Sequence, residues 1–169
     1  MVDEARRLGK PVVSINYDLE GADTVGTDNY VAMRTLTEQI FEGYPNIRPA
    51  YVNGLATSVE AQARTRAYRD VCAEHGITHA QFYQANSQID EGQALAKRLL
   101  AEGDELPDIF FCCNDDLAVG VQETLRKGGV SIPGEVMVTG FDNREIGRNI
   151  ASPITTPDRD YATIGPYGT

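Results

Sequence analysis

Residues 109–116 read IFFCCNDD, and this stretch decides the fold class of the chain. The five apolar residues that begin at Ile109 form a run of strand length and predict a strand buried on both faces. The polar residues that follow predict the start of a helix, with Asp115 or Asp116 as its N-cap. A buried strand that leads directly into a helix is typical of a parallel sheet covered by helices.

The same alternation continues on both sides of this stretch. Short β-branched or aromatic runs predict strands at residues 11–16, 49–52, 80–83 and 136–139. Apolar residues at three-and-four spacing predict helices from Asp28 to Gly43, from Ser58 to Gly76, up to Gly103, and up to Gly128. A loop rich in Gly and Asp is expected after Asn16. The predicted fold class is therefore α/β, a parallel sheet with helices on both faces.

Composition excludes several classes of function. The chain has 169 residues, 41% of them hydrophobic, and a net charge of −10 from 25 acidic and 15 basic residues. This acidic balance argues against a free-standing DNA-binding module, which needs cations to neutralise phosphates. No apolar run approaches the roughly 20 residues of a membrane span, and the opening MVDEARR lacks the apolar segment of a signal peptide. We expect a cytoplasmic protein with no membrane partner.

The sequence offers no catalytic, metal or cofactor site. It contains no GxGxxG, no phosphate-binding loop ending in Gly-Lys-Ser and no GxSxG elbow. Cys72, Cys112 and Cys113 are predicted to be reduced, buried thiols. His75 and His79 are separated by a helix-ending glycine and do not predict a metal site. We expect a binding protein without a cofactor.

Polar residues follow four of the predicted strands. Asn16, Asn53, Asn114 and Asp142 each stand where a strand ends, and ligands of parallel sheets bind beyond the carboxyl ends of the strands. Amides and a carboxylate suit a neutral polyhydroxylated ligand, because they donate and accept hydrogen bonds in fixed directions. For each residue taken singly, a role as a helix N-cap is an equally good interpretation.

Several segments together resemble one family. These are FCCNDDLAVG at 111–120, GVSIPGEVMVTGFDN at 129–143, PITT at 153–156 and YATIG at 161–165, with weaker matches at 11–13, 28–29 and 64–68. In this order they resemble the effector-binding domain of the LacI/GalR family of bacterial transcriptional regulators. The resemblance spans nearly the whole chain.

The resemblance implies a periplasmic-binding-protein-like domain of two lobes joined by three crossovers. Residues 1–27 would be a remnant of the N-terminal lobe and 28–158 the C-terminal effector-binding lobe. Residues 159–169 would form a crossover and the start of the return to the N-terminal lobe. A helix-turn-helix headpiece would precede these residues in the intact regulator.

The resemblance also implies a set of ligand-binding residues. The family's effector contacts correspond to Asn16, Arg64, Asn114 and Asp142 in this sequence. Asn16 replaces the carboxylate that is commonest at its position, and Ser87 stands where several members have an aromatic platform. For Arg64, an exposed helix arginine is the alternative interpretation. Positions that vary with the effector correspond to Ser58, Glu60 and Arg159.

The expected function is that of an effector sensor. A small ligand of the sugar class would bind between the lobes and control the DNA affinity of the headpiece. Operator DNA would be contacted only through that headpiece, and the full-length protein would be a homodimer. The alternative is a solute-binding protein of an ABC sugar transporter, which shares the fold. An enzyme on the same scaffold is a third hypothesis, but the sequence supplies no nucleophile and base for it.

Overall fold

The computed structural model describes residues 2–16 and 19–158. These residues fall into two compact units, a smaller one that ends at Asp28 and a larger one that runs from Asn29 to Asp158. Arg159 and the predicted crossover at 159–169 lie outside the described residues.

The smaller unit consists of helix α1 (Val2–Arg7) and strands β1 (Val13–Ile15) and β2 (Asp23–Val25). The two strands pair in parallel, with Val13 opposite Asp23. The prediction of a loop after Asn16 is wrong at β2, because a strand of three residues is defined by its pairing with β1 and has no apolar pattern of its own. Helix α1 was not predicted either.

The larger unit contains a four-stranded parallel sheet with the strand order β4-β3-β5-β6. The strands are β3 (Pro49–Asn53), β4 (Gln81–Gln84), β5 (Ile109–Cys112) and β6 (Met137–Thr139). Its helices are α2 (Asn29–Gly43), α3 (Val59–Glu74), α4 (Ile89–Glu102), α5 (Asp115–Lys127) and the short α6 (Glu145–Arg148). The α/β fold class with a parallel sheet is confirmed; α6 was not predicted.

Strand β5 lies at the centre of the hydrophobic core. All four of its residues are buried, as the continuous apolar run predicted. On one side, Phe111 packs against Phe41 of α2 and Tyr68 of α3, with ring centroids 5.8 and 5.2 Å away. Such edge and tilted aromatic pairs stabilise a core beyond the area they bury. Strand β4 is an edge strand, and its Phe82 is 42% exposed.

All three cysteines are free and buried, as predicted. Burial raises the pKa of the Cys72 thiol to about 11 and also raises the pKa values of the Cys112 and Cys113 thiols. These side chains therefore act as small apolar groups of the core. Among the described residues, no helix is long and apolar enough to cross a membrane.

Candidate functional site

The carboxyl ends of the larger unit's parallel strands, together with helix α3, form the candidate site. We call it the strand-end site and define it by the predicted ligand residues Arg64, Asn114 and Asp142. Arg64 lies on α3, Asn114 follows β5, and Asp142 follows β6. In a parallel sheet these positions meet at the edge where ligands bind.

Arg64 is buried, with only 3% of the residue exposed. Its Nε donates to Asn29 Oδ1 at 2.8 Å, its Nη1 to the Cys113 carbonyl at 2.6 Å, and its Nη2 to Asp142 Oδ1 at 3.2 Å. The guanidinium also lies 3.8 Å from the centroid of the Phe141 ring. The alternative interpretation of Arg64 as an exposed helix arginine is therefore wrong. Its guanidinium connects α2, the end of β5 and the segment after β6.

Asp142 lies in a turn with an unusual backbone. Its φ is 105° and that of Asn143 is 49°, so two consecutive non-glycine residues occupy the left-handed region. Each such residue costs on the order of 1 kcal/mol and persists only where its surroundings hold it. The Arg64 ion pair and a bond from the Asp142 N–H to the Pro157 carbonyl, at 3.2 Å, hold this turn. The Asp142 side chain is 13% exposed, more than the 4% of the Arg64 side chain.

Asn114 is the N-cap of α5. Its Oδ1 accepts from the Leu117 N–H at 3.0 Å, and its Nδ2 donates to the Ser87 carbonyl at 3.0 Å. The prediction that Asp115 or Asp116 caps this helix is wrong, because the helix begins at Asp115. Three polar residues in succession made the capping position ambiguous in the sequence. The amide of Asn114 thus fixes the segment after β4 as well as the start of α5.

Asn53 has a structural role that the N-cap interpretation did not include. Its Nδ2 donates to Gln84 Oε1 at 3.0 Å, and its Oδ1 accepts from Thr65 Oγ1 at 2.8 Å. It therefore ties the end of β3 to the end of β4 and to α3. Ser87, in the left-handed region at φ 65°, accepts from the Leu55 N–H at 3.0 Å through its Oγ.

Ser58 and Glu60 lie together at the start of α3. Ser58 caps the helix, as predicted, by accepting from the Ala61 N–H at 3.2 Å, and its hydroxyl donates to Glu60 Oε2 at 3.3 Å. Both residues are half-buried. Glu60 and Arg64 are four residues apart and share one face of the helix.

Two predicted ligand residues lie outside the strand-end site as described. Asn16 belongs to the smaller unit, where its φ is 59° and its Oδ1 accepts from the Thr27 N–H at 3.3 Å. Arg159 lies outside the described residues. The structure thus brings Arg64 and Asp142 into contact and places Ser58 beside Glu60.

Asp115 is a residue of this site that sequence reasoning treated only as a helix cap. It is fully buried; its N–H donates to the Phe141 carbonyl at 2.9 Å, and its Oδ2 accepts from the Arg144 N–H at 2.6 Å. Burial raises the pKa of its carboxyl group, and the Arg144 N–H opposes that shift. The position of an acidic residue shortly after a buried strand was the only signal in the sequence.

A cavity of about 580 Å³ lies at the amino ends of β5 and β6, on the opposite side of the sheet from the strand-end site. It is lined by the end of α2 and by the residues that precede the two strands. Both carboxylates of its lining already have partners. Asp108 accepts from the Arg48 backbone N–H at 2.8 Å and from Arg48 Nη2 at 2.6 Å, and Glu135 accepts from the Ser131 N–H at 2.7 Å. This cavity therefore offers a ligand less than the strand-end site does. Among the described residues, no group of three or more His, Cys, Asp or Glu side chains could hold a metal ion.

A parallel α/β unit with polar groups at its strand ends is typical of a ligand-binding domain. The family model described as "Periplasmic binding protein-like domain" matches residues 39–167. The chain belongs to this family.

Curated relatives are bacterial transcriptional regulators. The HTH-type transcriptional repressor PurR of Vibrio cholerae serotype O1 is 27% identical over 172 residues, which cover 98% of this chain and 49% of the relative. The ribose operon repressor of Haemophilus influenzae is 29% identical over 106 residues, covering 62% of this chain and 32% of the relative. The chain spans about half the length of the PurR relative.

Solved structures that are similar to this chain also include transcriptional regulators. A LacI family transcriptional regulator from Lactobacillus casei with bound sucrose has a TM-score of 0.81 and 26% identity, and the match covers 99% of this chain and 65% of that one. The resemblance to the effector-binding domain of LacI/GalR regulators is confirmed. The transporter alternative is not favoured, because the relatives named here are regulators.

Proposed function

We propose that this chain is the effector-sensing part of a LacI/GalR-type transcriptional regulator and that the strand-end site binds a small ligand of the sugar class. The observation that carries the proposal is the Arg64–Asp142 pair, a carboxylate fixed at the ligand-binding edge of the sheet by a buried guanidinium. A preorganised carboxylate can accept hydrogen bonds from neighbouring sugar hydroxyls without the entropy loss of ordering a mobile side chain.

The roles of the predicted residues differ in this proposal. Asp142 is the direct acceptor for the ligand, because its side chain is more exposed than that of Arg64. Arg64 orients Asp142, and Asn114 orients the segment at Ser87. Ser58 and Glu60 contribute polar groups from the start of α3. Contacts from Asn16 and Arg159 stay predictions from the sequence.

A sugar is the ligand class supported by two independent lines. The uncharged amides and the carboxylates of the site favour a polyhydroxylated ligand over an anion. The Lactobacillus casei regulator, which is similar to this chain, has been solved with sucrose and with glucose. No catalytic step belongs to this function.

The remaining parts of the function concern the intact regulator. We propose that residues 28–158 act as one lobe of a two-lobed domain and that ligand binding changes the operator affinity of a helix-turn-helix headpiece. The net charge of −10 supports DNA contact through such a headpiece and not through this chain. For the intact regulator we also propose a cytoplasmic location and a homodimer.

Substitution of Asp142 tests the proposal. In the full-length regulator, a panel of mono- and disaccharides that includes glucose and sucrose is screened for ligand-dependent increases in Tm, and the hits are measured by calorimetry. Asp142→Asn removes the carboxylate charge but keeps the shape, and we expect it to weaken binding by about 10- to 100-fold, the equivalent of about 1.5–3 kcal/mol.

Arg69→Ala is the control variant, on α3, the helix that carries Arg64. Arg69 is exposed and lies over the ring of Phe82 at 4.8 Å, on a different face of α3 from Arg64. We expect this variant to bind the same sugar with the affinity of the unmodified protein. Unchanged affinity in Asp142→Asn, or an equal loss in Arg69→Ala, would show that the strand-end site is not the effector site.

A further inference from the structure

Asp115 contacts the segment that carries Asp142 at both of its ends. Its N–H donates to the Phe141 carbonyl at 2.9 Å, and its Oδ2 accepts from the Arg144 N–H at 2.6 Å. Residues 141–144 thus form a loop whose first carbonyl and last N–H are both bonded to one buried residue. Between these two bonds lie Asp142 and Asn143, the two residues in the left-handed region.

The loop needs such an anchor because its backbone conformation is intrinsically unfavourable. Two consecutive left-handed residues that are not glycine cost on the order of 2 kcal/mol together. Released from its contacts, the loop would relax to ordinary dihedrals and the Asp142 carboxylate would change direction. Arg64 bonds only the side chain of Asp142. The backbone inside the loop is bonded by the Pro157 carbonyl and Thr156 Oγ1, and Asp115 bonds the backbone at both ends of the loop.

The Asp115 carboxylate occupies space that two glycines, Gly140 and Gly147, leave open. A side chain at Gly140 would collide with Asp115 Oδ1, and a Cβ at Gly147 would lie 3.5 Å from the carboxyl carbon. Asn114 already caps α5, so capping does not explain the presence of Asp115. Burial of a carboxyl group is costly, and its Oδ1 makes no hydrogen bond to a described residue. The hydrogen bond that Oδ2 accepts from the Arg144 N–H offsets part of that cost.

We propose that Asp115 is a positioning residue of the strand-end site: it fixes the loop at 141–144 and thereby directs the Asp142 carboxylate towards the ligand. The link to the ligand rests on the function proposed above. The fixing of the loop does not, and it can be measured without any ligand.

Hydrogen exchange of the 169-residue chain, followed by mass spectrometry, tests this inference. We compare peptides that cover residues 141–147 with peptides that cover β5. In Asp115→Ala we expect exchange at 141–147 to accelerate by about tenfold or more, while β5 exchanges as in the unmodified chain. Tenfold corresponds to about 1.4 kcal/mol, within the range for the loss of a hydrogen bond to a charged group.

Two further variants separate positioning from general stability. Asp115→Asn keeps a carbonyl oxygen that can accept from the Arg144 N–H, and we expect it to restore slow exchange at 141–147. Glu123→Ala removes a carboxylate from the exposed side of the same helix, where it pairs with Lys127, and should leave both peptides unchanged. If Asp115→Ala does not fold, Asp115→Ser, which keeps a shorter polar side chain, replaces it with the same expected pattern.

Equal acceleration in β5 and at 141–147 would overturn the inference, because it would show a general loss of stability. Unchanged exchange at 141–147 in Asp115→Ala, or an Asp115→Asn variant as fast as Asp115→Ala, would also overturn it. Unchanged sugar binding in Asp142→Asn would contradict the proposed function. It would not affect the exchange result, which measures only the fixing of the loop, so the two failures are distinguishable.

Discussion

A guanidinium group stays in a protein interior only where acceptors surround it. Arg64 meets this requirement with three oxygen acceptors and the face of Phe141. Arg66 and Arg69, on the same helix, are exposed. The three arginines are chemically identical, so the sequence pattern alone could not predict which of them is buried. The resemblance identified Arg64, and the tertiary packing explains its difference from the other two.

Asn114 and Asp115 show a second limit of sequence reasoning at the scale of residues. The polar run after β5 correctly predicted a helix start, but not which residue caps it. It also could not predict that Asp115 contacts Phe141 and Arg144, because that contact joins segments about 30 residues apart in the chain. The ends of the strands were predictable; the bonds between neighbouring strand ends were not.

The pair formed by Arg48 and Asp108 predicts a pH dependence of stability. Asp108 accepts from the side chain and the backbone N–H of Arg48, and these bonds lower the pKa of its carboxyl group. Because the pKa is lower in the folded state, the pair stabilises the fold above the unfolded pKa and loses this effect as the pH falls through the folded one. We therefore expect Asp108→Asn to lower Tm at pH 7 and to lower it less as the pH falls below the unfolded pKa of the carboxyl group.

Thermal unfolding at several pH values between 3 and 7 measures this difference. Asp104→Asn, a substitution of an exposed carboxylate four residues earlier, is the control and should leave Tm close to that of the unmodified chain at each pH. A difference between Asp108→Asn and the unmodified chain that stays constant down to pH 3 would contradict the assigned role of the carboxylate.

At the scale of elements, long apolar patterns were predictive and short elements were not. Strand β5 followed from five consecutive apolar residues, and α3 from a capping serine and a terminating glycine. Strand β2 has three residues and α6 has four, so neither is long enough to show a period. Such elements form through their contacts, β2 with β1 and α6 beside the start of α5.

Helices α4 and α5 cross where glycine faces glycine, and this crossing predicts an unusual mutational effect. A Cβ at Gly120 would collide with the Ile89 carbonyl and lie 2.9 Å from the Gln93 backbone nitrogen. Alanine normally stabilises a helix by about 1 kcal/mol relative to glycine. At Gly120 the steric clash dominates, and we expect Gly120→Ala to lower the free energy of unfolding by about 1–3 kcal/mol.

Gly43→Ala provides the control for helix propensity. Gly43 is the last residue of α2, and an added Cβ there would have no heavy atom within 4 Å. This substitution should be neutral or stabilise the chain by up to about 1 kcal/mol. Urea denaturation measures both variants, and a Gly120→Ala protein as stable as Gly43→Ala would show that the two helices can separate without loss.

At the scale of the whole molecule, the described core belongs to the larger unit. Every buried hydrophobic residue of the described chain lies between Met33 and Ile154. In the smaller unit, α1 has no buried residue, and several large apolar side chains outside α1 are exposed, among them Leu8 at 68% and Ile15 at 49%. Burial of apolar surface is the dominant favourable term in folding. Among the described residues, the larger unit therefore contains the apolar burial that stabilises the fold.

This distribution predicts that residues 29–158 fold on their own. We expect this fragment to unfold cooperatively, with a Tm within about 4 °C of the 169-residue chain, a shift that corresponds to about 1 kcal/mol for a domain of this size.

The matched control removes residues 137–158 from the other end of the larger unit. That deletion takes away β6 and three core residues, Val138, Phe141 and Ile154, and should abolish cooperative unfolding. Calorimetry and circular dichroism measure both fragments. If residues 29–158 lack a cooperative transition, the smaller unit contributes to stability through more than the burial of its own side chains, and the two units form one folding unit.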